Sequence, residues 1–142
     1  MAGKPCLYRL IDHTADLGME VCGRDLRDLF SRAGNAMVDM MTDRSTAFPR
    51  NERILKATGT DWTDLLIAFL RELLALHTIE DFLPVECSVD TIAPYRLTAL
   101  VRGEPCDPSR HRIIREIKAV TYHGAVVEKT GRRWRGRVIF DV

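Results

Sequence analysis

Residues 61–77 read Asp61-Trp62-Thr63-Asp64-Leu65-Leu66-Ile67-Ala68-Phe69-Leu70-Arg71-Glu72-Leu73-Leu74-Ala75-Leu76-His77, the most regular stretch of the chain. Trp62, Leu65, Leu66, Phe69, Leu70, Leu73 and Leu74 recur at the i, i+3, i+4, i+7 spacing, so one side of a helix is continuously apolar. Thr60 or Asp61 supplies the N-cap. Burying seven such side chains is worth on the order of 10 kcal/mol of gross hydrophobic free energy, opposed by conformational entropy. A stripe of that size needs a second layer to cover it.

The flanking patterns supply that layer. Upstream, Leu26, Leu29, Phe30, Ala33, Met37 and Met40 repeat the helical spacing, with Arg27, Asp28 and Arg32 on the other side. Asp25 is placed to cap this helix and to meet the positive end of its dipole. The methionines continue the buried stripe and are read as core packing. Before the helix, Tyr8 to Ile11 is a strand candidate that runs into an Asp12–Asp16 turn. Leu17, Met19 and Val21 then alternate with Gly18 and Glu20 in a strand ended by Gly23. Asp16 shares the parity of Gly18 and Glu20 and so points away from the apolar face.

Thr42 to Asn51 is a loop, and Glu52 to Thr58 is a strand. Beyond the second helix, Val85 to Ile92 and Tyr95 to Gly103 flank a reversal at Ala93-Pro94, and Glu104 to Arg112 is a loop. Ile113 to Lys129 and Arg132 to Val142 flank a turn at Thr130-Gly131. In the last strand Arg133, Arg135, Arg137, Ile139 and Asp141 share the polar parity. No internal repeat is evident. The order predicts one α+β domain over residues 1–142. It is a two-layer sandwich of two amphipathic helices packed on a largely antiparallel β-sheet, with the other sheet face left to solvent or a partner.

Hydrophobic residues at 46% and charged residues at 29% exclude a disordered chain, and no apolar run approaches the roughly 20 residues of a membrane span. Met1 to Pro5 lacks the apolar core of a secretion signal, so a cytoplasmic location is expected. Cysteines 6, 22, 87 and 106 form no C-x-x-C pair and are read as reduced small hydrophobes. The net charge of +1 is unevenly spread: residues 1–109 hold twelve Lys/Arg against seventeen Asp/Glu, and residues 110–137 hold nine against two. Such asymmetry marks either a surface for RNA or an acidic partner, or a solvated strand face.

Asp12, Asp16 and Asp141 are hard-oxygen candidates for calcium or magnesium. Spacing alone favours a plainer role for the first two, capping a turn through side-chain hydrogen bonds, since neither an EF-hand loop nor an H-E-x-x-H helix is present. His13, beside Thr14, stays open between a ligand or base and a hydrogen-bonded structural residue. Lys118 falls inside the Ile113–Lys129 pattern and shares parity with Val120 and Tyr122. It fits an edge-strand gatekeeper or a functional cation. His77, His111 and His123 lack zinc spacing, and no nucleophile elbow or phosphate-binding glycine loop occurs, so no catalytic residue is assigned.

Three segments carry a family resemblance: Tyr8-Arg9-Leu10-Ile11-Asp12-His13-Thr14-Ala15-Asp16, Glu116-Ile117-Lys118-Ala119-Val120-Thr121-Tyr122-His123, and Val138-Ile139-Phe140-Asp141-Val142. With the leucine-rich helix followed by Glu80-Asp81-Phe82, they make the chain resemble the archease family over nearly its whole length. The resemblance implies a non-enzymatic accessory protein of an RtcB-type, GTP-dependent RNA ligase in tRNA splicing and RNA repair, one that promotes ligase guanylylation and multiple turnover. It implies a divalent cation, calcium with magnesium or manganese as alternatives, held by Asp16, Asp141 and a backbone or terminal oxygen of Val142. Lys118 becomes the ligase-activating cation, Asp12 and His13 become supports of the turn that aims Asp16, and RNA or GTP becomes a contact in the complex. The alternatives are a chaperone-like or RNA-modification adaptor, and a stand-alone metal-dependent phosphoesterase, which would need a second metal or an activating base that the sequence does not supply.

Overall fold

Both helices begin in the same way. In the computed structural model, which describes residues 9–12 by their backbone and residues 16–142 in full, α1 spans Leu26–Met41 and α2 spans Trp62–Thr78. The carboxylate of Asp25 accepts from Asp28 N–H at 2.8 Å, and that of Asp61 from Asp64 N–H at 2.7 Å. The second acid of each pair turns back to accept from Arg24 N–H and Thr60 N–H, at 2.9 and 2.8 Å. Two residues before each cap stands a glycine. A Cβ on Gly23 or Gly59 would lie 2.5 Å from the backbone nitrogen of Leu29 or Leu65, a distance only glycine tolerates. Gly23-Arg24-Asp25-Leu26-Arg27-Asp28-Leu29 and Gly59-Thr60-Asp61-Trp62-Thr63-Asp64-Leu65 are therefore one strand-to-helix turn used twice, a short internal repeat that the sequence reading missed. Asp61, not Thr60, is the cap of α2.

Among the described residues there are seven strands: β1 Arg9–Asp12, β2 Asp16–Gly23, β3 Asn51–Thr58, β4 Phe82–Ala93, β5 Arg96–Pro105, β6 Ala119–Thr130 and β7 Arg133–Asp141. The fold is α+β and wholly antiparallel, as expected, but the strands divide into two sheets, β1-β2-β7-β6 and β3-β5-β4. A side-chain substitute for a strand covers one sheet edge. Asn35 of α1 donates to Cys87 O at 2.7 Å and accepts from Cys87 N at 3.0 Å, and Ser31 Oγ accepts from Val89 N at 3.0 Å. These bonds satisfy the outer edge of β4, so no further strand adds there. Each helix touches both sheets. One core results, in which Leu17, Met19 and Val21 of one sheet and Leu55, Val89 and Val101 of the other meet Phe30, Met37, Phe69 and Leu70 of the helices. Among the described residues no helix is long and apolar enough to cross a membrane.

Residues 113–118 depart from the strand expected over Ile113 to Lys129, which begins only at Ala119. Ile113 makes one isolated bridge with Thr42. Ile114 N–H donates to Met41 O at 2.8 Å, and the Arg115 guanidinium to Met40 O at 3.1 Å. This segment therefore closes the open carbonyls at the end of α1, a need that local pattern does not reveal. Glu104 also moves, from the expected loop to the end of β5.

Candidate functional site

The antiparallel register of β2, β7 and β6 brings distant parts of the chain together. Asp16 lies directly opposite Asp141, and Asp141 lies directly opposite Ala119. The N–H of Lys118, one residue before β6, donates to the carbonyl of Asp141 at 2.8 Å. Residues directly opposite across an antiparallel pair present their side chains to the same face. Asp16 and Asp141 thus share the face turned away from the helices, as the parity of Leu17, Met19, Val21, Val138 and Phe140, all buried, requires. The packing of those apolar side chains holds the register in place.

The two carboxylates are half-buried, and no hydrogen bond or ion pair engages either side chain among the described residues. Like charges directly opposite on a sheet repel. Their oxygens form the hard donor pair that a divalent cation with open positions takes. Among the described residues no cluster of three or more His, Cys, Asp or Glu side chains is arranged for a metal, so the remaining ligands would be backbone oxygens, water or a partner's groups. Val142 follows Asp141, half-buried, its side chain packed against the main core. The backbone of Asp12 pairs with Leu17, beside this end of the sheet, while the Asp12 side chain and the whole of His13 lie outside the described residues.

Lys118 is exposed, and the parity expected for it does not hold. Because the strand starts after it, Lys118 and Val120 do not share a face: Val120 is buried in the core. Lys118 and Ala119 border an open groove of about 400 Å³ against the last turns of α2, beside Arg71, Leu74 and the exposed Ile79. A depression of about 450 Å³ on the other sheet is a poorer candidate, since its Asn35 and Arg44 are occupied by bonds to Cys87, Asp39 and Asn35 itself.

Tyr122, assigned no role in the sequence, proves to be the clamp of this segment. The register of β6 slips between Thr121 and Val126, and Gly124 at φ +66° lets the backbone bulge. The bulge swings Tyr122 onto α2, where its hydroxyl donates to Asp64 Oδ1 at 2.5 Å and the Arg71 guanidinium stacks 4.7 Å from its ring. Arg71 also donates to Val120 O through Nε and Nη2, at 3.1 and 3.0 Å. The hydrogen bond holds the Asp64 carboxyl below its ordinary range and pushes the Tyr122 phenol up. Gly124 also closes over Ile139, which is buried despite its polar parity: a Cβ on Gly124 would lie 3.6 Å from Ile139 Cδ1.

The histidines are scattered. Burial lowers His77 and keeps it neutral, His123 is exposed, and His111 is buried in a separate cluster. There Asp107 N–H donates to His111 Nδ1 at 2.8 Å, so Nε2 carries the proton and donates to Glu104 Oε2 at 3.0 Å. Glu104 also accepts from Arg110 Nη2 at 2.6 Å and from Phe48 N–H at 2.7 Å. Arg110, ahead of the other partners, holds the Glu104 carboxyl far below the ordinary range. Cys87 and Cys106 are free thiols, and burial pushes Cys87 up to about 12, so it stays protonated.

Two helices against two antiparallel sheets, with a carboxylate pair at the end of one sheet, make a small α+β domain. Its family follows from comparison: residues 8–142 match the archease protein family (MTH1598/TM1083), and the chain belongs to that family. It is 34% identical to the archease of Methanopyrus kandleri over 93% of this chain and 96% of that protein. It is 33% identical to the archease of Pyrococcus abyssi, over 92% and 95%. Its fold matches the solution structure of Methanobacterium thermoautotrophicum protein 1598 with a TM-score of 0.80 at 31% identity, covering 95% of this chain and 98% of that one. An archease from Thermotoga maritima, described as a possible chaperone, matches at 0.65 and 20% identity over 94% and 96%, a likeness of fold alone.

Proposed function

We propose that this chain is a non-enzymatic activator of an RtcB-type, GTP-dependent RNA ligase, and that it binds a divalent cation, calcium by preference, between Asp16 and Asp141. The observation that carries the reading is the register that sets these two carboxylates opposite each other, with neither in an ion pair among the described residues. Calcium suits the pair because it accepts carboxylate and carbonyl oxygens in flexible numbers. The carbonyl or terminal oxygen of Val142 would add to the set, and a partner's oxygens or nucleotide phosphates would complete it. Lys118 brings a compact positive charge to the same end of the sheet, suited to a triphosphate. Asp12 and His13 would shape the turn that leads into Asp16.

The test is guanylylation and turnover of the ligase with folded Asp16→Ala, Asp141→Ala and Lys118→Ala proteins, alongside calcium titration of each. Loss of activation in all three, with calcium binding lost only in the two aspartate variants, is the expected result. Wild-type activation by all three sinks the assignment. A second reading, a chaperone-like adaptor, draws on the description of the Thermotoga relative as a possible chaperone. Suppression of aggregation of an unrelated client, equal in wild type and Asp16→Ala, would favour it.

A further inference from the structure

The basic segment 110–137 is not one surface once folded. Arg110 is held by Glu104, Arg112 reaches Asp43 at 3.8 Å, Arg115 closes α1, and Arg135 is shared between Glu128 and Glu20, at 2.6 and 3.4 Å. Of the other five, Lys118 stands at the opposite end of the sheet, beside Asp141, and Arg137 is half-buried within β7, which leaves Lys129, Arg132 and Arg133 together. All three are exposed, and none has a hydrogen-bond or ion-pair partner among the described residues. They occupy the β6–β7 hairpin tip around Gly131, whose φ of +64° makes the turn and where an added Cβ would touch nothing. The last pair between β2 and β7 is Gly23 with Trp134, so residues 130–133 project beyond the neighbouring strand.

The cations point in different directions. Lys129 pairs with Trp134, whose ring packs against the core, and so lies on the helix side of the ribbon. Arg133 pairs with Thr130 and has the parity of Arg135, on the opposite side, while Arg132 sits in the turn. The acids of this end are occupied: Asp25, Asp28, Asp61 and Asp64 accept backbone N–H groups at the helix starts, and Glu128 holds Arg135. A narrow ribbon positive on both sides fits a cleft with two anionic walls. The phosphate rows flanking a nucleic-acid groove are such a cleft, whereas an acidic peptide presents one wall.

We infer that the β6–β7 tip is a phosphate-binding site through which Lys129, Arg132 and Arg133 engage the groove of a helical RNA stem, without reading its sequence. The choice of nucleic-acid phosphate rests on the tip alone, and the choice of RNA over DNA rests on the function proposed above. Eight residue steps along β7 separate Arg133 from Asp141, about 26 Å at about 3.3 Å each. An RNA stem at the tip and a partner at the Asp16–Asp141 end are therefore compatible.

The test uses the full chain without ligase or added metal, so its outcome is independent of ligase activation. Fluorescence anisotropy is measured with an RNA hairpin stem, a DNA duplex of the same sequence, and poly-glutamate as competitor. Three phosphate contacts predict that raising salt from about 50 to about 200 mM weakens RNA binding about 40-fold. The triple variant Lys129→Ala/Arg132→Ala/Arg133→Ala, folded by thermal melting, is expected to bind more than tenfold weaker at low salt with an almost flat salt dependence, and Lys56→Ala, which removes an exposed cation of the other sheet, to bind as wild type. Absence of RNA binding by the wild-type chain, an unchanged salt slope in the triple variant, or displacement by poly-glutamate at equal charge concentration overturns the site. Tighter binding to the DNA duplex overturns the choice of RNA.

Discussion

Glu104 and the Asp16–Asp141 pair are two ways of handling negative charge in one small domain. Glu104 is buried, and every acceptor position it uses is answered from within the chain, by Arg110, by His111 and by the N–H of Phe48. Asp16 and Asp141 face each other on neighbouring strands, and among the described residues no side chain answers either. A buried charge without partners would not survive folding, so Glu104 must be satisfied internally. Half-exposed carboxylates tolerate mutual repulsion at small cost, and can wait for a cation from outside. The difference separates a structural charge from one available for binding.

Four outcomes would break or sharpen that contrast. The largest is expected from Glu104→Ala, which strips Arg110 and His111 of their shared acceptor. Denaturant unfolding should show a loss of about 3 kcal/mol. If the loss is within about 0.5 kcal/mol, the cluster is not structural. Next, calcium at about 100 times its Kd should raise wild-type stability by about 2.7 kcal/mol, an effect reversed by a chelator and absent in Asp16→Asn. Equal stabilisation of that variant would place the cation elsewhere.

Acid titration gives the third. The Glu104 carboxyl is lowered in the folded state, so its contribution is complete above the ordinary glutamate range, near about 4.3, and is lost as pH falls below it. Wild type should lose stability over that window more steeply than Glu104→Gln, and parallel curves would remove Glu104 from the account. The smallest effect is expected without metal. Asp16→Asn relieves the repulsion and should stabilise the protein by a few tenths of a kcal/mol, seen as a small rise in melting temperature. A loss of stability there would mean that Asp16 has a structural partner.

Much of the fold was legible locally. The α2 stripe, the α1 stripe and the parity of β2 and β7 are consequences of period, and period survives in the sequence whatever the partner layer is. What was misread depended on neighbours distant in the chain. Residues 113–118 look like a strand because Ile113, Ile114 and Ile117 are apolar, yet the segment is recruited by the open end of α1. Tyr122 looked like one more strand residue until the bulge at Gly124 turned it onto Asp64 and Arg71. The repeated turn at Gly23 and Gly59 was visible as seven aligned letters. Its signal is the Gly-x-Asp-x-x-Asp-Leu spacing, and its meaning is the 2.5 Å approach that excludes a side chain.

Of the candidate site, the sequence by itself determined that Asp16 and Asp141 each point away from an apolar face, because alternation is a property of a single strand. It also determined, through the three family segments, which kin the chain has. That the two acids stand opposite each other rather than at opposite ends of the sheet was decided only by tertiary structure. Pairing register is set by the burial of Leu17, Met19, Val138 and Phe140 against helices that come from elsewhere in the chain. The same holds for the basic segment. Its charge was countable from the letters, but which arginines are spent on internal partners and which remain at the hairpin tip depends on carboxylates and carbonyls that only folding brings near.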